Sequence, residues 1–119
     1  AVGDMDTFFA LLADDVVWEI NGSPELIPTH GARHGIDGVQ QWLEQLEAEV
    51  ELLDFGTDAF FADGDNVFVL FHDSGRNRAT GKVVEQRELA MITFADGEIA
   101  HFLCFDDSAQ ELWASMPEE

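Results

Sequence analysis

Basic residues are nearly absent. Lys82 is the single lysine and Arg33, Arg76, Arg78 and Arg87 are the arginines, against 25 aspartates and glutamates, for a formal charge of −20 over 119 residues. Such a chain is a poor partner for nucleic acid or an anionic membrane, both of which need cations to neutralise phosphate. Tyrosine is missing altogether, which takes the phenol out of any set of oxyanion donors. The one cysteine, Cys104, cannot close an internal disulfide, so a reducing, cytoplasmic setting is expected. No apolar run approaches the roughly 18 residues that span a bilayer, and no basic segment followed by an apolar stretch marks an export signal. Phosphate-binding glycine loops, nucleophile elbows and the His-Glu-x-x-His zinc motif are also lacking, and no cofactor is expected.

What is present is apolar material: 46% of residues are hydrophobic, with 10 Phe and 3 Trp, enough for the core of one domain over 1–119. A folded chain of this mass exposes roughly 6,400 Å2, which spaces the carboxylates about 16 Å apart. Their repulsion is muted at a Debye length of about 8 Å in about 0.15 M salt and long-ranged at about 30 Å in about 0.01 M salt. Stability should therefore rise with salt.

Met5, Phe8, Phe9 and Leu12 recur at helical spacing, which predicts a short helix over 4–13. Val16–Ile20 is β-branched and aromatic and reads as a strand. Asn21 to Gly35 carries glycines and prolines without a sustained period and reads as a long, mobile loop over a pocket mouth. Ile36, Val39, Trp42, Leu43, Leu46 and Val50 then share one face of a helix. Beyond it, the dipeptides Asp63-Gly64, Ser74-Gly75, Thr80-Gly81 and Asp96-Gly97 mark turns between strands at about 52–62, 66–76, 82–95 and 98–106. A last helical stretch covers 108–114, with Asp107 as its cap.

Strand parity divides the last strand into Ala100, Phe102, Cys104 and Asp106 on one face and Ile99, His101, Leu103 and Phe105 on the other. Both sets are largely apolar, whereas a sheet with one wet face shows a polar set. The second face is therefore expected to pack on another copy, as a homodimer through the sheet.

Gly3-Asp4-Met5-Asp6 and the run Leu11-Leu12-Ala13-Asp14-Asp15-Val16-Val17-Trp18-Glu19-Ile20 resemble the SnoaL-like branch of the nuclear transport factor 2-like superfamily, which includes ketosteroid isomerases. Gly31-Ala-Arg-His-Gly35-Ile-Asp-Gly-Val39, Ala79-Thr80-Gly81-Lys82, Phe94-Ala-Asp-Gly97-Glu-Ile99 and Phe105-Asp106 agree with it in order and spacing. The resemblance implies an α+β cone, in which a bent antiparallel sheet wraps helices and encloses an apolar pocket. It also implies a further N-terminal helix, which this chain is expected to lack. The family hosts isomerases, cyclases, epoxide hydrolases, dehydratases and non-catalytic binding proteins, so function must be argued from the site.

The resemblance places the isomerases' base at Ile20 and their second aspartate at Ala90, neither of which can carry a proton, so steroid isomerisation by that route is not expected. It places Asp106 where SnoaL-type polyketide cyclases carry a late-strand base. Glu88 lies two positions before Ala90 on the same face and becomes its candidate partner acid. Trp18, Ile20, Phe71, Ile92 and Phe102 are expected as walls around a small hydrophobic molecule, with Ala90 and Cys104 on the same face. His30, delivered by the loop, a protonated Glu88 and the Trp18 indole are the candidate oxyanion donors. His30, His34 and Asp37 have a ligand-like spacing but sit in a glycine-containing loop, and no metal is expected. His72 and Asp73 are adjacent on a strand and should face opposite ways. The activity expected is removal of a carbon-bound proton from an apolar carbonyl compound, or else binding of a hydrophobic ligand, or dimerisation, without catalysis.

Overall fold

Helical periodicity at the N-terminus gives way to strand earlier than the sequence suggests. The computed structural model describes residues 4–117, and in it α1 spans Asp4–Ala10 while β1 already begins at Leu12 and runs to Ile20. Gly3, part of the motif that carried the family resemblance, lies outside the described residues. Leu12 pairs with Ile99 instead of completing the helix, and a register shift before Val17 leaves Asp14 and Asp15 in solvent. An apolar residue at this position suits either state, and the partner strand decides between them.

β2 (Gly31–His34) lies inside the segment expected as a loop and pairs antiparallel with β1, its glycine-flanked sequence concealing a short edge strand. Then follow α2 (Gly35–Glu49), β3 (Val50–Asp63), β4 (Asn66–Asn77), β5 (Val83–Ala95), β6 (Glu98–Phe105) and α3 (Ser108–Ser115). The strands form one sheet in the order β2-β1-β6-β5-β4-β3, with β1 and β6 parallel and the other neighbours antiparallel. The fold is α+β, and register shifts in the β3–β4 and β5–β6 pairings supply the irregularities on which such a sheet bends.

Asp96 and Gly97 both adopt positive φ, at 52° and 79°, which fits the tight turn of a two-residue hairpin. Ser74-Gly75 is not a turn: β4 runs through it to Asn77, and a Cβ on Gly75 would stand 2.7 Å from Val50 Cγ1, so the glycine admits the neighbouring strand.

α2 lays Val39, Trp42 and Leu43 toward the sheet and keeps Gln40, Gln41, Glu44 and Glu47 in water, as its periodicity requires. Trp18 stacks on Phe102 at 3.8 Å between centroids and meets Trp42 at 5.5 Å. The Trp42 indole N–H donates to the Thr29 carbonyl at 2.9 Å, tying the 21–30 segment to α2. α3 is held by the Thr80 hydroxyl, which donates to the Ala114 carbonyl, and by Lys82, whose Nζ donates to the Met116 carbonyl at 2.7 Å.

Candidate functional site

The inner face of the sheet, α2 and α3 enclose a cavity of about 580 Å3. Alternation along the strands brings Phe71, Ala90, Ile92, Phe102 and Cys104 to its wall together with Ile20. The same parity brings Glu88 and Asp106 to one cavity, with Asp73 beside them.

Asp106 follows β6 and precedes α3, and its side chain is only 4% exposed. His30 Nε2 lies 2.8 Å from Asp106 Oδ2 and 3.2 Å from Glu111 Oε2, and the Ser108 hydroxyl donates to Asp106 Oδ1 at 3.1 Å. Nε2 carries at most one hydrogen, and Asp106 is the nearer acceptor. Glu111 must then bring its own proton. Burial, then its hydrogen bond to Asp106 and the charges of Asp106, Glu88 and Asp73, push the Glu111 carboxyl up to about 10. At neutral pH Glu111 is therefore a neutral acid that donates to Asp106.

Glu88 repeats the arrangement on the sheet. Burial first, then a hydrogen bond shared with Asp73 and the charges of Asp73 and Asp106, push its carboxyl up to about 9. The Cys104 thiol, itself pushed up by burial, donates to Glu88 Oε1 at 3.6 Å. Gln86 donates through Nε2 to Asp73 at 3.3 Å and accepts from the Asp107 backbone N–H at 2.9 Å, which links this pair to the start of α3. Asp107 caps that helix by accepting from Gln110 N, and the Gln110 bonds hold its carboxyl below the usual range. Glu49 Oε2 is buried without a hydrogen-bond partner, and among the described residues no lysine or arginine lines the cavity.

His30 is not carried on a mobile loop. It is 2% exposed, its backbone N–H is bonded to the Ile27 carbonyl, and it stands behind the carboxyls rather than on the cavity wall. Gly22 makes this possible, since a Cβ there would lie 2.1 Å from His30 Nδ1. Trp18 also departs from its expected place: it backs Phe102 from the core, and its indole N–H is buried without a partner. His34 precedes α2 without a side-chain capping bond. The donor set that converges is instead His30, Asp106 and Glu111, with ligand atoms within 4.8 Å of one another, and this trio could hold a metal ion. Glu111, Asp73 and Glu49 are cavity carboxyls that strand reasoning did not single out.

Outside the cavity, His72 faces away from Asp73, as adjacent strand residues must, and bonds Asp58 at 2.9 Å. That hydrogen bond, with the charges of Asp58, Asp54 and Asp73, raises its pKa. His101 lies on the outer face with Glu19 at 3.3 Å. None of the described helices is long and apolar enough to cross a membrane.

The model of the SnoaL-like domain family matches residues 1–102. No curated protein matches the sequence. Among solved structures, a nuclear transport factor 2-like protein from Burkholderia thailandensis E264 superposes with a TM-score of 0.84 at 25% identity, covering 98% of this chain and 92% of that one. Another from Burkholderia xenovorans LB400 gives 0.85 at 23% identity, over 97% and 86%. A protein with a ketosteroid isomerase-like fold from Catenulispora acidiphila DSM 44928, solved in complex with trimethylamine, gives 0.76 at 14% identity, over 92% and 80%. With the match spanning most of its length and the cone built as that family builds it, the chain belongs to the SnoaL-like domain family.

Proposed function

We propose that the protein is a small proton-transfer enzyme of the isomerase or cyclase type, acting on an apolar carbonyl compound. The observation that carries this reading is the buried Asp106 carboxyl at the wall of an apolar cavity, next to carboxyls held neutral by burial. Asp106 takes a proton from the carbon beside the carbonyl, the C–H electron pair forms the C=C bond of the enolate, and the carbonyl π pair moves onto the oxygen. The Glu88 proton stabilises or neutralises the resulting enolate oxygen. His30 and Glu111 position Asp106 and share its charge. Return of the proton elsewhere gives isomerisation; attack of the enolate carbon on a second carbonyl gives ring closure.

The test is deuterium incorporation into a panel of apolar ketones in D2O. The enzyme should accelerate exchange at the acidic carbon, and Asp106→Asn should lower the rate by at least about 100-fold. Ketones that bind without exchanging would contradict the reading. They would instead favour a non-catalytic binding protein or dimerisation module, for which the apolar Ile20 and Ala90 walls speak.

Dimerisation through the sheet belongs to the same proposal. Cross-strand pairing aligns Phe61, Phe68, Met91 and Leu103 in one row, and Ala59, Leu70, Leu89 and Phe105 in the next, on the face away from the cavity.

A further inference from the structure

We infer that the occupant of the cavity is an organic cation, an ammonium or iminium nitrogen on an apolar body. The inference rests on the reading of this cavity as a ligand site and adds the ligand's charge to it. Carboxyl groups reach the wall from every side: Glu49 from the end of α2, Asp73 from β4, Glu88 from β5, Asp106 from the end of β6 and Glu111 from α3. The basic group in contact with them, His30, already spends Nε2 on Asp106 and Glu111.

Four of the five cations of the chain are employed elsewhere, and Arg87 is exposed on the sheet face opposite Glu88, off the cavity wall. Arg33 bonds Gln45, Arg76 and Arg78 pair with Glu51 and Glu47, and Lys82 binds carbonyls at the end of α3. The unpartnered oxygen of Glu49 is an acceptor that lacks a donor or a positive charge. The remaining wall supplies what the body of such a ligand needs, because Trp42, Phe55, Phe71 and Phe102 offer aromatic faces to an alkylammonium group. An occupant with a full negative charge would meet the like charges of Asp73 and Asp106, and an uncharged hydrocarbon would leave the carboxyl acceptors unpaired.

A metal ion fits the same sign of charge but less of the site. His30, Asp106 and Glu111 converge within 4.8 Å, yet Glu49, Asp73 and Glu88 lie outside that cluster, and a cavity of about 580 Å3 exceeds what an ion requires. A nitrogen cation with an apolar body uses both the acidic rim and the aromatic wall.

The experiment compares phenethyltrimethylammonium with its neutral carbon isostere, (3,3-dimethylbutyl)benzene, by tryptophan fluorescence and calorimetry on the full chain. At pH 8 the cation should bind at least about 10-fold more tightly. Asp73→Asn and Asp106→Asn should each narrow the ratio of the two affinities, and the wild-type comparison stands even where a variant fails to fold. Equal or tighter binding of the isostere overturns the proposed charge but leaves the cavity as a ligand site. If neither probe nor the ketone panel binds, the ligand site fails as well. Zn2+ that binds His30, Asp106 and Glu111 tightly enough to displace the cation would assign the charge to a metal and overturn the proposal.

Discussion

Asp106, Glu88 and Glu111 are the same functional group in one cavity, and their surroundings separate their roles. Asp106 accepts from His30 and Ser108, whereas Glu88 and Glu111 lack cationic partners and are pushed up to about 9 and about 10 by burial before any neighbouring charge adds to it. The linkage has a definite sign. A carboxyl whose folded pKa is raised binds a proton in the native state that the unfolded chain has released, so stability falls as pH rises from about 4.5 toward the folded values, by at most about 1.4 kcal/mol per pH unit for each group. Glu88→Gln removes one of these groups. Chemical denaturation between pH 5 and pH 9 should show a shallower decline for the variant than for the wild type, and equal slopes would contradict the assignment. Gly22→Ala tests the seat of His30. The new Cβ, 2.1 Å from Nδ1, must displace the ring, and the substitution should cost on the order of 1–3 kcal/mol and change the His30 NMR resonances.

Strand alternation assigns faces without knowledge of the partner and so put Asp106 and Glu88 on the face of the apolar wall, while the family resemblance is what marked Asp106 as a base. Glu111 was not legible, because its orientation depends on which face of α3 meets the sheet. The apolar pair Leu112-Trp113 suggests one face, yet Trp113 is 51% exposed, lying under the Lys82 ammonium, while Glu111, Ala114 and Ser115 face the cavity. Asp73 was weighed only as a neighbour of His72 for a related reason: its meaning comes from Glu88 on the adjacent strand.

At the level of elements, α3 and the 21–30 segment close the cavity, and each is fastened by a few bonds. The amphipathic α2 and the hairpins at Asp63-Gly64 and Asp96-Gly97 could be read directly, since their signals are local. β2 could not, because four residues between glycines become a strand only when β1 offers its edge. The start of β1 at Leu12 likewise depends on Ile99, far along the chain. For α3, Lys82 carries the C-terminal end by donating to the Trp113 and Met116 carbonyls, where a cation also suits the helix dipole. Lys82→Gln should speed amide hydrogen exchange in α3 while leaving β5 and β6 protected. Uniform loss of protection would mean that α3 does not open separately from the sheet.

For the whole molecule, charge and shape make separate demands. With a net charge of −20, screening should stabilise the fold, and the melting temperature should rise between about 0.01 M and about 1 M salt. An unchanged value would show that surface repulsion contributes little. The outer sheet face, with Leu89 and Phe105 exposed and Phe61 exposed on the edge strand β3, is the surface proposed to be covered by a second copy. Light scattering should give about twice the 13.2 kDa chain mass at micromolar concentration, and the chain mass itself would contradict that proposal.

The account turns on carboxyls that stay protonated at neutral pH around the Asp106 base. Carbon-13 NMR of selectively labelled glutamate side chains, with Glu88→Gln and Glu111→Gln used to assign the two signals, measures this directly. The account predicts midpoints near 9 for Glu88 and near 10 for Glu111. Titration of both in the ordinary carboxylate range, near 4.5, would leave no neutral acid in the cavity and would contradict it.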